Sequence, residues 1–458
     1  MARIIVVGAG MAGLAAAARL AARGHSVLVC EAGHTVGGTL GSWQYDGLIF
    51  DTGAYTLTLP AAYRDLFIKT GSRKRSAAAA LEDRVELRAL DPVRRYLFPD
   101  GTRLDLPNAS RGRLHAAFDE ALGTGAGQSW LNIVDHGSRV WDTIRPVLVE
   151  APGSGERELA RLLRTAAGRR VLTPLRSLRS VAGRWFTDPR LFLLLDDYAR
   201  QAGAGADARR APGVLAAHIY IEHAFGAWQI VGGMYTLAEE LRLRVLERGA
   251  EIRYGARAIR IERSASGAVS GVLLADGERI AADIVVAGVD QAVLTRMLDQ
   301  PSVKTQYSAP VGTLCLVVQD PPTMPHETVL LDQSGPALRV HVAGERPTAW
   351  TVHVPGVTDA QLDADGVLDT LAARGIDVRR KVLARHAITA ADREAATGAP
   401  GGSAYGPAVT SLRTALLRSP VRQPVTGLFH VGASARLGGG LSFAALSAWQ
   451  AAELITGA

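Results

Sequence analysis

Within its first thirteen residues the chain commits to a strand, a glycine turn and a helix. Arg3-Ile4-Ile5-Val6-Val7 is an apolar, β-branched run of the kind buried on both faces of a parallel sheet. Gly8-Ala9-Gly10-Met11-Ala12-Gly13 follows at once, and the alanine-rich stretch Leu14 to Arg23 predicts a helix. Gly8 permits a tight turn, Gly10 lets backbone approach a pyrophosphate, and Gly13 lets helix and strand pack closely, with the diphosphate and the amides of Met11 and Ala12 at the helix N-terminus. A second strand, Ser26 to Cys30, ends in Glu31, an acid placed to accept both ribose hydroxyls of an adenosine. The same opening could be misread as a signal peptide, but the glycine motif and Arg19 inside the apolar run argue against that.

Six and seven positions after Glu31 come Gly37-Gly38, bare backbone that can pass a second phosphate or a ribitol. That addition favours FAD over a nicotinamide cofactor. At 458 residues the chain is too long for one hydrophobic core, so two or three domains are expected. The formal charge of +7 rests on arginines scattered along the chain, with only four lysines, and no basic stripe with interleaved aromatics appears, so nucleic acid is not an expected partner. Cys30 and Cys315 stand alone, which indicates neither a disulfide framework nor a metal site and suggests a cytoplasmic setting. No run of about 18 uncharged apolar residues suggests a membrane span.

From Glu31 to Gly38, and on through Tyr45-Asp46-Gly47-Leu48-Ile49-Phe50-Asp51-Thr52-Gly53, the sequence resembles the bacterial phytoene desaturase group of FAD-dependent desaturases and oxidases. Further segments carry the likeness: Trp185 to Leu191, the Gly232-Gly233-Met234 turn with its helix to Arg248, Gly401 to Gly406, and the closing Gly432-Ala433-Ser434-Ala435-Arg436-Leu437-Gly438-Gly439-Gly440-Leu441. The resemblance implies an α/β fold, a glutathione-reductase-like FAD domain with a discontinuous α+β substrate domain. The expected FAD portion is 1–100, 226–300 and 411–458, and the substrate portion 101–225 and 301–410. It also implies that Gly53, Ala54 and Tyr55 pass beside the isoalloxazine, that Ala258 stands by the adenine, and that Gly432, Ala433, Gly440 and Leu441 border the flavin at a helix N-terminus. Three positions depart from the family pattern: Thr39 stands where an arginine usually meets the phosphates, and Ser442-Phe443 replace proline and glycine.

Between these segments, 107–229 reads as mostly helical, with Leu159, Leu162, Leu163 and Ala166 spaced along one helix face and arginines 161, 164, 169 and 170 on the other. Such a basic amphipathic helix reads either as a peripheral membrane-surface or lid element, or as a solvated face on a substrate-domain helix. Strands are expected at Gly312 to Gln319, Thr328 to Leu331, 337–342 and Thr348 to Val354, with a helix over 360–374.

One nucleotide unit and no second cradle imply reoxidation by oxygen, a quinone or another carrier. The expected reaction takes a hydride from a substrate C–H to flavin N5 and a proton from the neighbouring carbon, forming a double bond in a small apolar, isoprenoid or carotenoid-type molecule. Glu222, His223, Tyr235 and Arg436 are the candidate proton-transfer or positioning groups. Two alternatives stand beside this reading. One is a tailoring oxidase acting on a C–N or C–C bond of a secondary metabolite, although Gly312 to Gln319 lacks the lysine that many flavin amine oxidases place near N5. The other is a non-catalytic prenyl carrier like the GDP-dissociation inhibitors.

Overall fold

A computed structural model describes residues 1–71, 80–150, 155–333, 338–343, 348–357 and 362–457. Its framework is a five-stranded parallel sheet in the order Glu251–Arg253, Ser26–Cys30, Arg3–Val7, Ile284–Ala287, Leu428–His430. Three distant stretches of chain therefore build one sheet, and its central strand is the first one read from the sequence. The helix Met11–Ala22 crosses from that strand with Leu14 through Ala18 fully buried, packed against the closing helix Leu441–Thr456. A helix apolar on every side belongs inside, and alanine keeps it thin enough to lie between sheet and neighbours. Gly13 sets the distance: a Cβ there would lie 2.0 Å from the Gly8 carbonyl oxygen.

A three-stranded antiparallel unit, Ala258–Arg263, Val269–Leu274 and Arg279–Ala281, flanks this sheet. The second large layer is a seven-stranded sheet ordered Val382–Ile388, Val311–Val318, Thr348–Pro355, Leu338–Ala343, Glu327–Leu330, Arg94–Leu97, Arg103–Leu106. Arg94–Leu97 pairs parallel with Glu327–Leu330, so the boundary expected at residue 100 cuts through this sheet. The edge strand Val382–Ile388 and the pair Arg94–Leu97 and Arg103–Leu106 escaped the sequence reading because charged residues break their apolar alternation. The helix expected over 360–374 is observed from Ala364 to Ala373, and 360 and 361 lie outside the described residues, as does 337 of the expected strand 337–342.

The amphipathic stretch is two helices rather than one. Thr165 leaves helical geometry and its hydroxyl accepts the Gly168 N–H, ending Gly155–Arg164 and capping Ala166–Leu172. Leu159, Leu162 and Leu163 pack inward with Trp141, Ile144 and Leu148. Most of the expected apolar face therefore meets the protein's own core, whereas Ala166 is exposed. No helix among the described residues is long and apolar enough to cross a membrane.

Candidate functional site

The glycine turn meets a second glycine pair. Gly37 donates its N–H to the Ala9 carbonyl at 2.9 Å, and a Cβ on Gly38 would come within 3.1 Å of Gly10 Cα. Gly8, Gly37 and Gly38 all hold positive φ (95°, 103° and 61°), where a side chain would be strained. Glu31 closes the cradle from the end of its strand. One carboxylate oxygen accepts the Ala9 N–H at 2.6 Å and the other the Gly33 N–H at 2.7 Å, which leaves lone pairs for further donors.

From the double glycine the chain runs to Thr39, turns through the hairpin Ser42–Tyr45 and Leu48–Asp51, and returns at Gly53. A Cβ on Gly53 would sit 2.1 Å from the Thr39 carbonyl oxygen, so the two passes lie flat on one another. Asp51, at the end of the hairpin, accepts the N–H groups of Met234 and Tyr235 at 2.8 and 3.1 Å. It thereby caps the helix Tyr235–Glu247, and burial pushes its carboxyl above the usual carboxylate range against the pull of those two amides.

The closing segment completes the enclosure. Gly432 and Gly440 hold φ of 105° and 120°, and the helix Leu441–Thr456 starts at the cavity wall. Its start is fixed by Ser442, whose hydroxyl donates to the Thr58 carbonyl, and by Tyr63, whose hydroxyl donates to the Leu441 carbonyl at 2.8 Å. Ser442 is therefore a tether between chain segments that a proline could not supply.

Together these elements enclose a cavity of about 480 Å³. Gly8, Gly10, Met11, Ala12, Glu31, Gly37, Gly38, Thr39, Gly53, Ala54, Tyr55, Ala258, Gly432, Ala433, Gly440 and Leu441 all lie on its wall, and Gly13 lies behind it as a packing residue. A groove with a glycine cradle, a helix N-terminus and an acid at one end and a wider chamber at the other fits a dinucleotide extended along it.

Of the four side chains read as candidates for chemistry, Glu222 lies on this wall, and His223, Tyr235 and Arg436 are neither on it nor brought together. His223 accepts the Trp130 indole N–H at 3.1 Å, and burial pushes its imidazole down to about 4. Tyr235 packs under the double glycine, with Cε2 3.2 Å from where a Gly37 Cβ would lie, and burial raises its phenol to about 12. Arg436 lies in a smaller apolar pocket, with Nη2 2.5 Å from where a Gly155 Cβ would be.

The wider chamber is lined by Glu222, which the sequence reading named, and by His218, which it did not. His218 and Glu222, one helical turn apart on Ala216–Phe225, both face it, whereas His223 is rotated away. On this helix the sequence reading picked out Glu222, which faces the chamber, and His223, which does not, and passed over His218. Burial, helped by Arg418, lowers the His218 imidazole to about 4, and its ring meets Phe443 edge-on at 5.4 Å. No hydrogen bond to the His218 side chain is made by the described residues.

Beyond them lies a buried ionic network. Arg94 donates to Glu327 at 2.9 Å and to Glu222, and Arg339 donates to Glu327 and Asp197. Tyr55 donates to Glu327 and Tyr96 to Asp197, both at 3.2 Å, and Tyr198 donates to Glu222. Burial pushes the Glu222 carboxyl up, but Arg94, His223 and the Tyr198 hydroxyl together outweigh it and the net shift is downward. Among the described residues no cluster of metal-ligating side chains is found.

With this geometry established, comparisons with known proteins give a consistent picture. The model of the flavin containing amine oxidoreductase family matches residues 11–317. The chain is 25% identical to a 4,4'-diapolycopene oxygenase of Methylomonas, over 97% of this chain and 96% of that protein. It is 28% identical to a hydroxyneurosporene desaturase of Cereibacter sphaeroides, over 99% and 97%. Among solved structures, a putrescine oxidase variant superposes with a TM-score of 0.70 at 17% identity, covering 100% of this chain and 99% of that one, which speaks for the fold alone.

Proposed function

The chain belongs to the flavin containing amine oxidoreductase family and is an FAD-dependent oxidoreductase, and on that premise we propose that it dehydrogenates an apolar, carotenoid-type polyene. The observation that supports this most is the full-length likeness to relatives named for carotenoid desaturation and oxygenation, combined with a single cavity that joins the glycine cradle to a chamber walled by Tyr55, His218 and Phe443. FAD, when bound, supplies the two-electron acceptor for a substrate C–H bond.

In this reading Gly8, Gly10, Met11, Ala12, Gly37 and Gly38 present backbone to the diphosphate. Glu31 takes the adenosine ribose and Ala258 lies by the adenine. Gly53, Ala54 and Tyr55 lie along one side of the ring system, with Gly432, Ala433, Gly440 and Leu441 at the other. Thr39, replacing an arginine, offers a hydroxyl, so the helix dipole of Met11–Ala22 carries more of the phosphate charge. The start of the helix Leu441–Thr456 favours negative charge building up beside it.

His218 is the proton acceptor in this account. It is neutral at physiological pH, stands on the wall of the chamber and is held by Phe443 rather than consumed by a hydrogen bond. Arg393 supports the opposite wall, donating to the carbonyls of Thr52 and Val311 and to the Thr313 hydroxyl. Electrons leave to oxygen, a quinone or another carrier. The observed strand Val311–Val318 carries no lysine, which counts against the amine-oxidising subclass.

Incubation of the purified protein with partly saturated polyenes, followed by chromatography with absorbance detection, tests the proposal. A red-shifted product of extended conjugation is expected. Recovery of every polyene unchanged under aerobic and quinone-supplemented conditions would refute it.

A further inference from the structure

The chamber is chemically two-sided. Next to His218 and Phe443 it borders an apolar pocket of Trp141, Ile144, Leu148, Val214 and Leu437. Its other wall carries Asp197, Glu222, Arg339, His353 and Tyr405. A pure hydrocarbon has no use for the second wall, and burying charge beside it carries a desolvation cost.

The polar wall has its own hydrogen-bond balance. Arg94 and Arg339 face Asp197, Glu222 and Glu327, and Arg393 stands behind Thr313 as a further cation near His353. The guanidinium donors of Arg94 and Arg339 are directed into the network, including Arg94 to the Tyr96 hydroxyl at 3.3 Å and Arg339 to the Tyr55 hydroxyl at 3.4 Å. Acceptor capacity remains. Asp197 receives Arg339, Tyr96 and Gln201, and Glu222 receives Arg94 and Tyr198, while an ionised carboxylate has about four acceptor sites.

Two further groups are unspent. His353 is 6% exposed, its Nδ1 is engaged with the Thr313 hydroxyl at 3.2 Å, and its Nε2 has no partner among the described residues. Tyr405 is wedged in place: a Cβ on Gly203 would lie 3.0 Å from its Cβ, and one on Gly439 would lie 2.8 Å from its Cα. Its phenol senses Arg339 and Asp197, and no hydrogen bond to its hydroxyl is made by the described residues.

We propose that this wall binds a hydroxyl group carried at one end of the substrate, with the apolar chain extending past His218 and Phe443. A hydroxyl both donates and accepts, which matches an open carboxylate or imidazole acceptor beside the Tyr405 phenol. A carboxylate end would lie against the Asp197 and Glu222 carboxylates, and an ammonium would leave the phenol's proton unplaced. The chain part of this inference rests on the polyene reading above; the hydroxyl part does not.

The test uses the FAD-loaded protein and ligands matched in chain length: a polyene hydrocarbon, its terminal alcohol, its terminal amine and its terminal carboxylate. Binding is followed through the shift of the flavin absorbance and, separately, through hexanol, hexylamine and hexanoate as short probes. The alcohol is expected to bind at least about tenfold more tightly than the hydrocarbon or the carboxylate, one good hydrogen bond's worth. Tyr405→Phe, with its flavin spectrum intact, is expected to erase most of that preference. Equal or tighter binding of the hydrocarbon, the amine or the carboxylate overturns the proposal, as does a Tyr405→Phe variant that keeps the full alcohol preference. If the long polyenes fail while hexanol outbinds hexylamine and hexanoate, the polyene reading falls and the hydroxyl assignment stands.

Discussion

Asp51 Oδ2 accepts the Met234 backbone N–H at 2.8 Å, joining the hairpin that follows the double glycine to the first turn of the helix Tyr235–Glu247. Both segments carry family motifs, and this contact explains why an acid ends one and two glycines open the other. Gly233 has no side chain to keep the carboxylate away: a Cβ there would stand 3.2 Å from Asp51 Oδ1. Asp51→Ala removes the acceptor for two buried amides and is expected to cost about 2–4 kcal/mol of stability, with Asp51→Asn milder because it keeps one carbonyl oxygen. Thermal melts of the two variants check the order, and equal melting temperatures would contradict it.

Gly53→Ala is expected to be more damaging than its small size suggests. The added methyl would lie 2.1 Å from the Thr39 carbonyl oxygen, so one of two chain passes on the cavity wall has to move. The expected outcome is about 3 kcal/mol of destabilisation or more, together with flavin lost during purification. Flavin content per protein and the denaturation midpoint read this directly.

His218 and His223 separate chemistry from support. His218→Asn is expected to lower kcat by about 100-fold or more while the flavin spectrum is kept. His223→Asn should leave kcat within a few-fold and lower the melting temperature, because it disturbs the Trp130 hydrogen bond and the ring contacts with Trp130 and Tyr198. The reverse pattern would move the proton acceptor to His223.

Much of the cofactor half was legible in the sequence because its signals are local. Gly8 to Gly13, Glu31 and Gly37-Gly38 each act through backbone conformation that a short stretch of residues determines. Apart from Tyr55 and Glu222, the chamber was not legible, for the opposite reason. Asp197, Glu222, Glu327 and Arg339 sit on four separate elements, and only the seven-stranded sheet and its covering helices bring them to Arg94. His218 shares a helix with His223, and the choice between them is a matter of about 140° of helix rotation, fixed by what the helix packs on. Thr165 ended the amphipathic helix through a capping hydrogen bond that the apolar spacing masked.

Arg94→Met leaves Glu222 and Glu327 without their shared cation. The expected cost is about 3–5 kcal/mol, far more than loss of an exposed pair such as Arg111 with Asp135. Chemical denaturation of Arg94→Met and Arg111→Met side by side tests the contrast.

Acid should destabilise the fold before its carboxylates titrate. Burial lowers His136, His218 and His223 to about 4 and His353 to about 3, against about 6.5 in an unfolded chain. Between these values the unfolded state binds more protons, so stability is present above about pH 6.5 and falls as pH drops toward 4, by up to about 1.4 kcal/mol per pH unit for each histidine. Replacing His136 and His353 by glutamine should flatten the melting temperature profile in that window.

The account as a whole turns on whether the flavin takes electrons from a polyene. Anaerobic stopped-flow mixing of the FAD-loaded protein with a partly saturated polyene, watched at about 450 nm, measures this in one step. Bleaching of the flavin band is expected, slowed about 100-fold or more in His218→Asn. A fully flavinated protein whose band is untouched by any polyene, yet bleached by a simple amine, would contradict it.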